Sequence, residues 1–285
     1  MLAAATEGHE VTDLTGDSAE ASAAALKQAV DDGAIERLVV AGGDGLVHLA
    51  IQHLAQTGIP MEIVPSGTGN DFFAGATRVV DAVDSKGLVH VDLLRVSVQD
   101  APTPRWVASI VIGGFPAAIN ARANTMSLPL GSHIYTAAAL LELPRFSRSQ
   151  VSYKISSDFG DFDLGDVTGI SDTAMLAIGN TCYFGGGMLA CPEALADDGL
   201  LHFTSIEGVG RIGILRHIQK QKGGTADRGE VQRHTGNRCE IDSAGVELWG
   251  DGERLGLSPA TIEVVPRALT LVGWRGDPAA TNSAM

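Results

Sequence analysis

Two short stretches place carboxylates among glycines where strand-like residues hand over to helix-like ones. The first is Gly42-Gly43-Asp44-Gly45, which follows "RLVVA" and precedes Val47, Ala50, Ile51, Leu54 and Ala55 at helical spacing. The second is "VPSGTGNDF", 64–72, in which Gly67, Thr68, Gly69, Asn70 and Asp71 follow the strand-like "MEIVP". Glycines at such a junction let backbone N–H groups approach a ligand, and a helix N-terminus adds partial positive charge. Both loops therefore suit phosphate, and the Thr68 hydroxyl adds a donor. A carboxylate there repels bare phosphate unless a metal ion or ordered water stands between, so Asp44 and Asp71 imply one or the other. The competing reading of each loop is a capped turn. Another carboxylate pair, Asp251 and Glu253 in "WGDGERL", reads either as a hairpin turn or as a base for a hydroxyl proton. Asp197-Asp198-Gly199 in "CPEALADDGLLHF" reads as a turn before a strand.

The elements that must carry these residues divide the chain. Ser18 caps a predicted helix through "AEASAAALKQAVDD", which ends at Gly33. "HEVTDLT", 37–41 and 61–65 read as strands, and the alternation with helices predicts a parallel sheet covered on its faces. Loops on successive strands of such a sheet lie side by side at its carboxyl edge, where ligands bind. The opening "MLAAATEG" reads as the tail of a helix, so the first strand of a doubly wound domain is expected to be lacking. Beyond about residue 92 the pattern becomes strand-like. "DLLRVSV", "RWVASIVI", "QVSYKISS", "TAMLAIGN", "LLHFTSI", "VELWG" and "TIEVVPRALTLV" are separated by Gly, Asp, Asn and Ser, and only 132–143 and 208–222 look helical. The expected organisation is an α/β domain over 1–91, a β-rich domain over 92–274 and a tail over 275–285.

Bulk properties bound the function. A chain of 285 residues with 45% hydrophobic residues accommodates two cores. Its formal charge of −14 disfavours nucleic acid as a partner. The charge is uneven, net −10 over residues 1–92 and −4 over the rest. Three widely spaced cysteines without a CxxC pair argue against a disulfide framework or a zinc site and suit a reducing cytoplasm. No apolar run reaches the roughly 18 residues a transmembrane helix needs, and the N-terminus lacks a basic, apolar leader.

GGDG followed by PSGTGND, and later by WGDGERL, resembles the diacylglycerol kinase catalytic family, in particular its soluble bacterial lipid kinases. The resemblance covers nearly the whole chain. It implies a doubly wound nucleotide-binding domain of the NAD kinase/diacylglycerol kinase type, followed by a β-sandwich-like domain. It also implies an Mg2+-dependent transfer of the ATP γ-phosphoryl group to a lipid hydroxyl, with diacylglycerol the leading substrate. Carried over, nucleotide falls to Thr15, Gly42, Gly43, Asp44, Gly45, Gly67, Thr68, Gly69, Asn70 and Asp71. Catalysis falls to Asp251, Glu253 and Asp44. A structural cation falls to the Asp198 side chain and the carbonyls of Leu195 and Leu200, an oxygen-only set that suits Mg2+ or Ca2+. Catalytically silent binding of nucleotide or lipid is the alternative, with NAD kinase behind it.

The chain departs from the family pattern, which reads GGDGT, one residue, then Asn-Glu. Leu46, His48 and Leu49 stand at those places, and His48 is expected on the helix surface. A lipid kinase without a span must meet the bilayer from one side. The basic stretch 208–224, with Arg211, Arg216, Lys220 and Lys222 and no acid, is the first candidate for that contact, and "LPRFSRS", 143–149, is the second. A cytoplasmic location peripheral to the membrane is expected, and a homodimer is left open.

Overall fold

The computed structural model describes residues 5–79, 83–126, 133–157, 165–222 and 230–273. Helix α1, Ala19–Asp31, begins where expected, with Ser18 Oγ accepting the Ala21 N–H. Strand β1, Leu38–Gly42, leads into helix α2, Asp44–Leu54, and strand β2, Met61–Pro65, into the short helix α3, Asp71–Ala76. β1 and β2 pair in parallel, from Leu38 opposite Met61 to Gly42 opposite Pro65. That register brings the two glycine loops level at the carboxyl end.

"HEVTDLT" corrects the sequence reading. Residues 10–16 form no strand, most of them are exposed, and Val11 is among the exposed large apolar side chains. A strand is held by its ladder, and among the described strands β1 pairs only with β2. The tail 275–285 lies outside the described residues.

The rest is mainly antiparallel. Strands β3, Leu88–Val98, β4, Arg105–Val107, and β5, Ile110–Gly114, come first. "RWVASIVI" is thus two strands, broken at Ala108 and Ser109. Helix α4, Phe115–Thr125, was not expected; helix α5, His133–Glu142, was. Strands β6, Ser149–Ser156, and β7, Val167–Gly179, precede the small hairpin of β8, Tyr183–Phe184, and β9, Met188–Leu189. Strand β10, Leu201–Glu207, helix α6, Arg211–Lys222, and strands β11, Val231–Gly236, and β12, Arg238–Ile241, follow. The hairpin of β13, Glu247–Gly250, and β14, Glu253–Leu257, leads to the long β15, Ala260–Val272.

β15 joins the two parts. It pairs with β3 along its length, with a bulge between Val265 and Leu269, and its end meets β2 in parallel at Leu271 and Met61. On one side of the bulge, Val89, Val91, Leu269 and Leu271 pack with Val40, Ile51, Leu54 and Phe72 of the α/β part. On the other, Leu94, Val96, Ile262 and Val264 join the β core around Val151, Ile178 and Phe203. Asp92, 2% exposed, holds the crossing. Its carboxylate accepts the N–H of Arg267 in the bulge at 2.7 Å and of Gly199 at 2.8 Å.

The loops touch backbone to backbone. A Cβ added at Gly67 would lie 2.5 Å from the Gly43 Cα, and one added at Gly43 would lie 3.0 Å from the Gly67 Cα. Neither atom can turn aside. Gly67→Ala should therefore spread the loops and cost on the order of 1–3 kcal/mol, as overpacking does. Urea unfolding of the variant measures this, and parental stability would mean that the loops sit further apart.

Candidate active site

Three aspartates converge below the touching loops. Asp44 opens α2, yet its carboxylate turns to the neighbouring loop and accepts the N–H groups of Asp71 at 3.1 Å and Phe72 at 3.2 Å. It thus caps α3 across the loops, where Asn70 makes no side-chain cap. Asn70 adopts left-handed backbone, φ 54°, and closes its own loop: Oδ1 accepts the Gly67 N–H and Nδ2 donates to the Gly67 carbonyl. Gly69 must lack a side chain, because a Cβ would come within 2.8 Å of Asp44 Oδ2. Asp71 reaches the β8–β9 hairpin, accepting the Gly186 N–H at 2.9 Å and the Gly187 N–H at 2.7 Å.

Asp251 arrives from the β domain. Its oxygens accept the Ser109 and Ala108 N–H groups, both at 2.8 Å, so the break between β4 and β5 supplies its donors. Its backbone is left-handed, φ 51°, and its side chain is buried. Glu253, two residues on, is exposed. The turn therefore separates the pair, with one carboxylate fastened inward and the other open to solvent.

The three carboxylates feel one another's charge. Burial raises the Asp44 carboxyl above its ordinary range, the amides it accepts lower it, and the Asp251 charge adds to the rise. Burial, opposed by the hairpin amides and reinforced by Asp44 and Asp251, lifts Asp71 to about 6. Tyr135 on α5 is 42% exposed. Its phenol is pushed up by burial and then by the charges of Asp71, Asp44 and Glu253.

Among the described residues no three His, Cys, Asp or Glu side chains are set to hold a metal by themselves. Mg2+ commonly takes one or two carboxylates, with waters and substrate phosphates as the remaining ligands. Asp44 and Asp71 fit that mode, because each carboxylate has about four lone-pair positions and two are used.

Of the other expected residues, Gly42 and Gly45 flank the touching loop, and Thr68 is exposed at its mouth. Thr15 is exposed near the start of α1, its N–H held by Asp13, and takes no part in the hydrogen bonds of the two loops. Asp198 shapes its own turn. It accepts N–H groups from Leu200 at 2.9 Å and Leu195 at 3.4 Å, and contacts His202 Nε2 at 3.1 Å. His48 is not on the surface: it is 3% exposed, with Nδ1 3.2 Å from Asp251 Oδ2. Sequence reasoning missed Tyr135, the Gly186–Gly187 amides and Asn124, whose Nδ2 reaches the Gly252 carbonyl at 3.5 Å. Three consecutive glycines at 185–187 were the available signal for the amides.

Two glycine loops at an α/β sheet edge thus come within electrostatic reach of a carboxylate-bearing turn of the β part. Residues 2–93 match the diacylglycerol kinase catalytic domain family, and residues 109–273 match the YegS C-terminal NAD kinase beta sandwich-like domain. A diacylglycerol kinase from Mycobacterium tuberculosis is 32% identical over 273 residues, covering 93% of this chain and 85% of its own. A Xanthomonas oryzae protein named "Probable lipid kinase YegS-like" is 31% identical over 64% of this chain and 59% of its own. A diacylglycerol kinase structure from Bacillus anthracis superposes with a TM-score of 0.58 at 17% identity, over 93% of this chain and 84% of that one. The chain belongs to the diacylglycerol kinase catalytic family, a family of lipid kinases.

The raised Asp71 carboxyl makes a signed prediction. A carboxyl whose folded pKa exceeds its unfolded value of about 3.8 favours the fold below that value, and the contribution is lost as pH rises through about 6. Asp71→Asn removes the titration. The melting temperature of the variant minus that of the parent should therefore increase from pH 4.5 to pH 7.5, by the equivalent of roughly 3 kcal/mol at most. A flat difference across that range would show that Asp71 ionises at an ordinary pH.

Proposed function

We propose that this protein transfers the γ-phosphoryl group of ATP to the hydroxyl of a lipid alcohol, with diacylglycerol the first substrate to test. One observation carries the reading: Tyr135 lies within electrostatic reach of Asp44 and Asp71 of the paired loops and of the exposed Glu253 alike. Phosphoryl transfer depends mainly on positioning and charge neutralisation. Backbone N–H groups of Gly43, Gly45 and Gly69 hold the phosphates, Thr68 adds a hydroxyl, and the Gly67 N–H, held by Asn70, shapes the loop. Asp44 and Asp71 hold Mg2+ directly or through its waters. When bound, the ion neutralises phosphate charge. Glu253 accepts the hydroxyl proton. Asp251 supports it from within the turn, since its oxygens are already committed to Ala108 and Ser109. The division into nucleotide and lipid-substrate domains at about residue 92 belongs to this reading.

A second cation is proposed at Asp198 and the carbonyls of Leu195 and Leu200. Supporting it, Asp92 and Asp197 are both pushed up chiefly by burial and also by the Asp198 charge, which a cation would relieve.

Membrane contact belongs to the same proposal. No described helix is long and apolar enough to cross a membrane. The two basic candidate stretches meet in space, because Arg211 of α6 donates to the Pro144 carbonyl at 2.8 Å. Leu140 and Leu141 of α5 and Ile212 of α6 are exposed there, as are Arg145 and Arg216. Exposed apolar side chains and arginines on neighbouring elements suit an anionic bilayer surface. Tyr135 lies on the same helix as Leu140, about 8 Å of helical rise away, so the contact borders the cleft.

The test is transfer of labelled phosphate from ATP to vesicles containing diacylglycerol or other lipid alcohols. Mg2+-dependent product is expected. Glu253→Gln should lower kcat by about 10²-fold or more while changing the ATP KM little. No product from any lipid would leave a binding protein, and an unimpaired Glu253→Gln would remove Glu253 as the base.

A further inference from the structure

The helix that begins at the nucleotide loop also grips the acceptor turn. His48 lies four residues after Asp44, one turn along α2, with its ring buried against Asp251. One turn further, Gln52 donates to the Trp106 carbonyl at 2.8 Å and accepts the Trp106 N–H at 3.0 Å. Two adjacent side chains thus fasten α2 to β4 and to the turn before β14. A non-glycine residue in left-handed backbone persists only where its surroundings over-determine it. Asp251 meets that condition through three donors: two amides of the β domain and one imidazole of the nucleotide domain.

The chemistry of the contact fixes the ring. Both Asp251 oxygens already accept backbone amides, and as the donor in this contact Nδ1 carries the proton. An asparagine carries its amide nitrogen at the same remove from the backbone as histidine Nδ1. The shared feature is a donor at that distance, which leucine lacks.

We infer that His48 is a positioning residue. Its Nδ1–H holds the Asp251 turn, and so aims Glu253, in register with the helix whose first residues form the nucleotide loop. The inference rests on the kinase reading for its consequence, and on the His48–Asp251 contact for its substance.

Two readouts separate these. In the transfer assay, His48→Leu should lower kcat at least tenfold with the ATP KM within about twofold, and His48→Asn should recover most of the loss. His48→Leu in an Asp251→Asn background should cost little more. In NMR spectra of the 15N-labelled chain, the His48 ring should be protonated at Nδ1. The Gly252 and Glu253 amide signals should shift in His48→Leu and return in His48→Asn. Parental kcat in His48→Leu, equal impairment in both His48 variants, or additive losses with Asp251→Asn would overturn the inference. So would an Nδ1 without a proton, or unmoved Gly252 and Glu253 signals. If the parent phosphorylates no lipid, the kinase reading fails, while the NMR result still decides the inference.

Discussion

Buried aspartates that accept backbone amides from distant segments hold this molecule in its working arrangement. Asp44 takes two amides of the neighbouring loop, Asp71 two of the β8–β9 hairpin, Asp92 those of Gly199 and Arg267, and Asp251 those of Ala108 and Ser109. A hydrogen bond to a charged acceptor contributes about 1.5–3 kcal/mol net, roughly twice a neutral one. Taking the carboxylate out of water offsets much of that, which is why Asp44, Asp71 and Asp92 are all pushed upward. The bonds act less as net stabilisers than as fixed distances. Most act where ladders end or bulge, and the bonds of Asp71 to Gly186 and Gly187 join segments with no shared ladder and cross between the two parts of the chain.

That division of labour explains the cleft. Carboxylates turned inward organise the backbone donors, and groups left outward remain available for chemistry. Asp251 and Glu253 illustrate it within one turn: left-handed backbone at Asp251 and Gly252 sends the first inward and leaves the second exposed. The two glycine loops achieve the same by close approach, with Gly43 against Gly67 and Gly69 against Asp44. Three buried or half-buried acids, Asp44, Asp71 and Asp251, lie within electrostatic reach of one another and repel.

Much of this was legible in the residues. The glycine loops, the WGDGERL turn and the strands from 61 to 65 and 261 to 272 announce themselves through turn chemistry and apolar runs. Local pattern could not supply the partners. "HEVTDLT" has strand composition but no ladder to join. "RWVASIVI" has the composition of one strand but breaks where Ala108 and Ser109 give their amides to a residue more than 140 positions away. Helix α4 hides behind "GGFPAA", whose glycines and proline read as a turn, although proline is at home in a first helical turn. His48 was misplaced on the surface because α2 is covered on that side by the β domain, which no periodicity within α2 reveals. The roles of Asp44 and Asp71 as braces between loops were equally hidden, since the amides they accept lie 27 and 115 positions away.

The central claim is that these aspartates act in series, so that the state of one loop is felt at the next. Amide hydrogen exchange, followed by NMR in the parent and in Asp44→Ala, tests it most directly. The expected result is faster exchange at Asp71 and Phe72, which lose their acceptor, and also at Gly186 and Gly187, which Asp44 does not touch. Ala108 and Ser109, held by Asp251, should keep their parental rates. Unchanged exchange at Gly186 and Gly187, or one uniform acceleration across the chain, would contradict it.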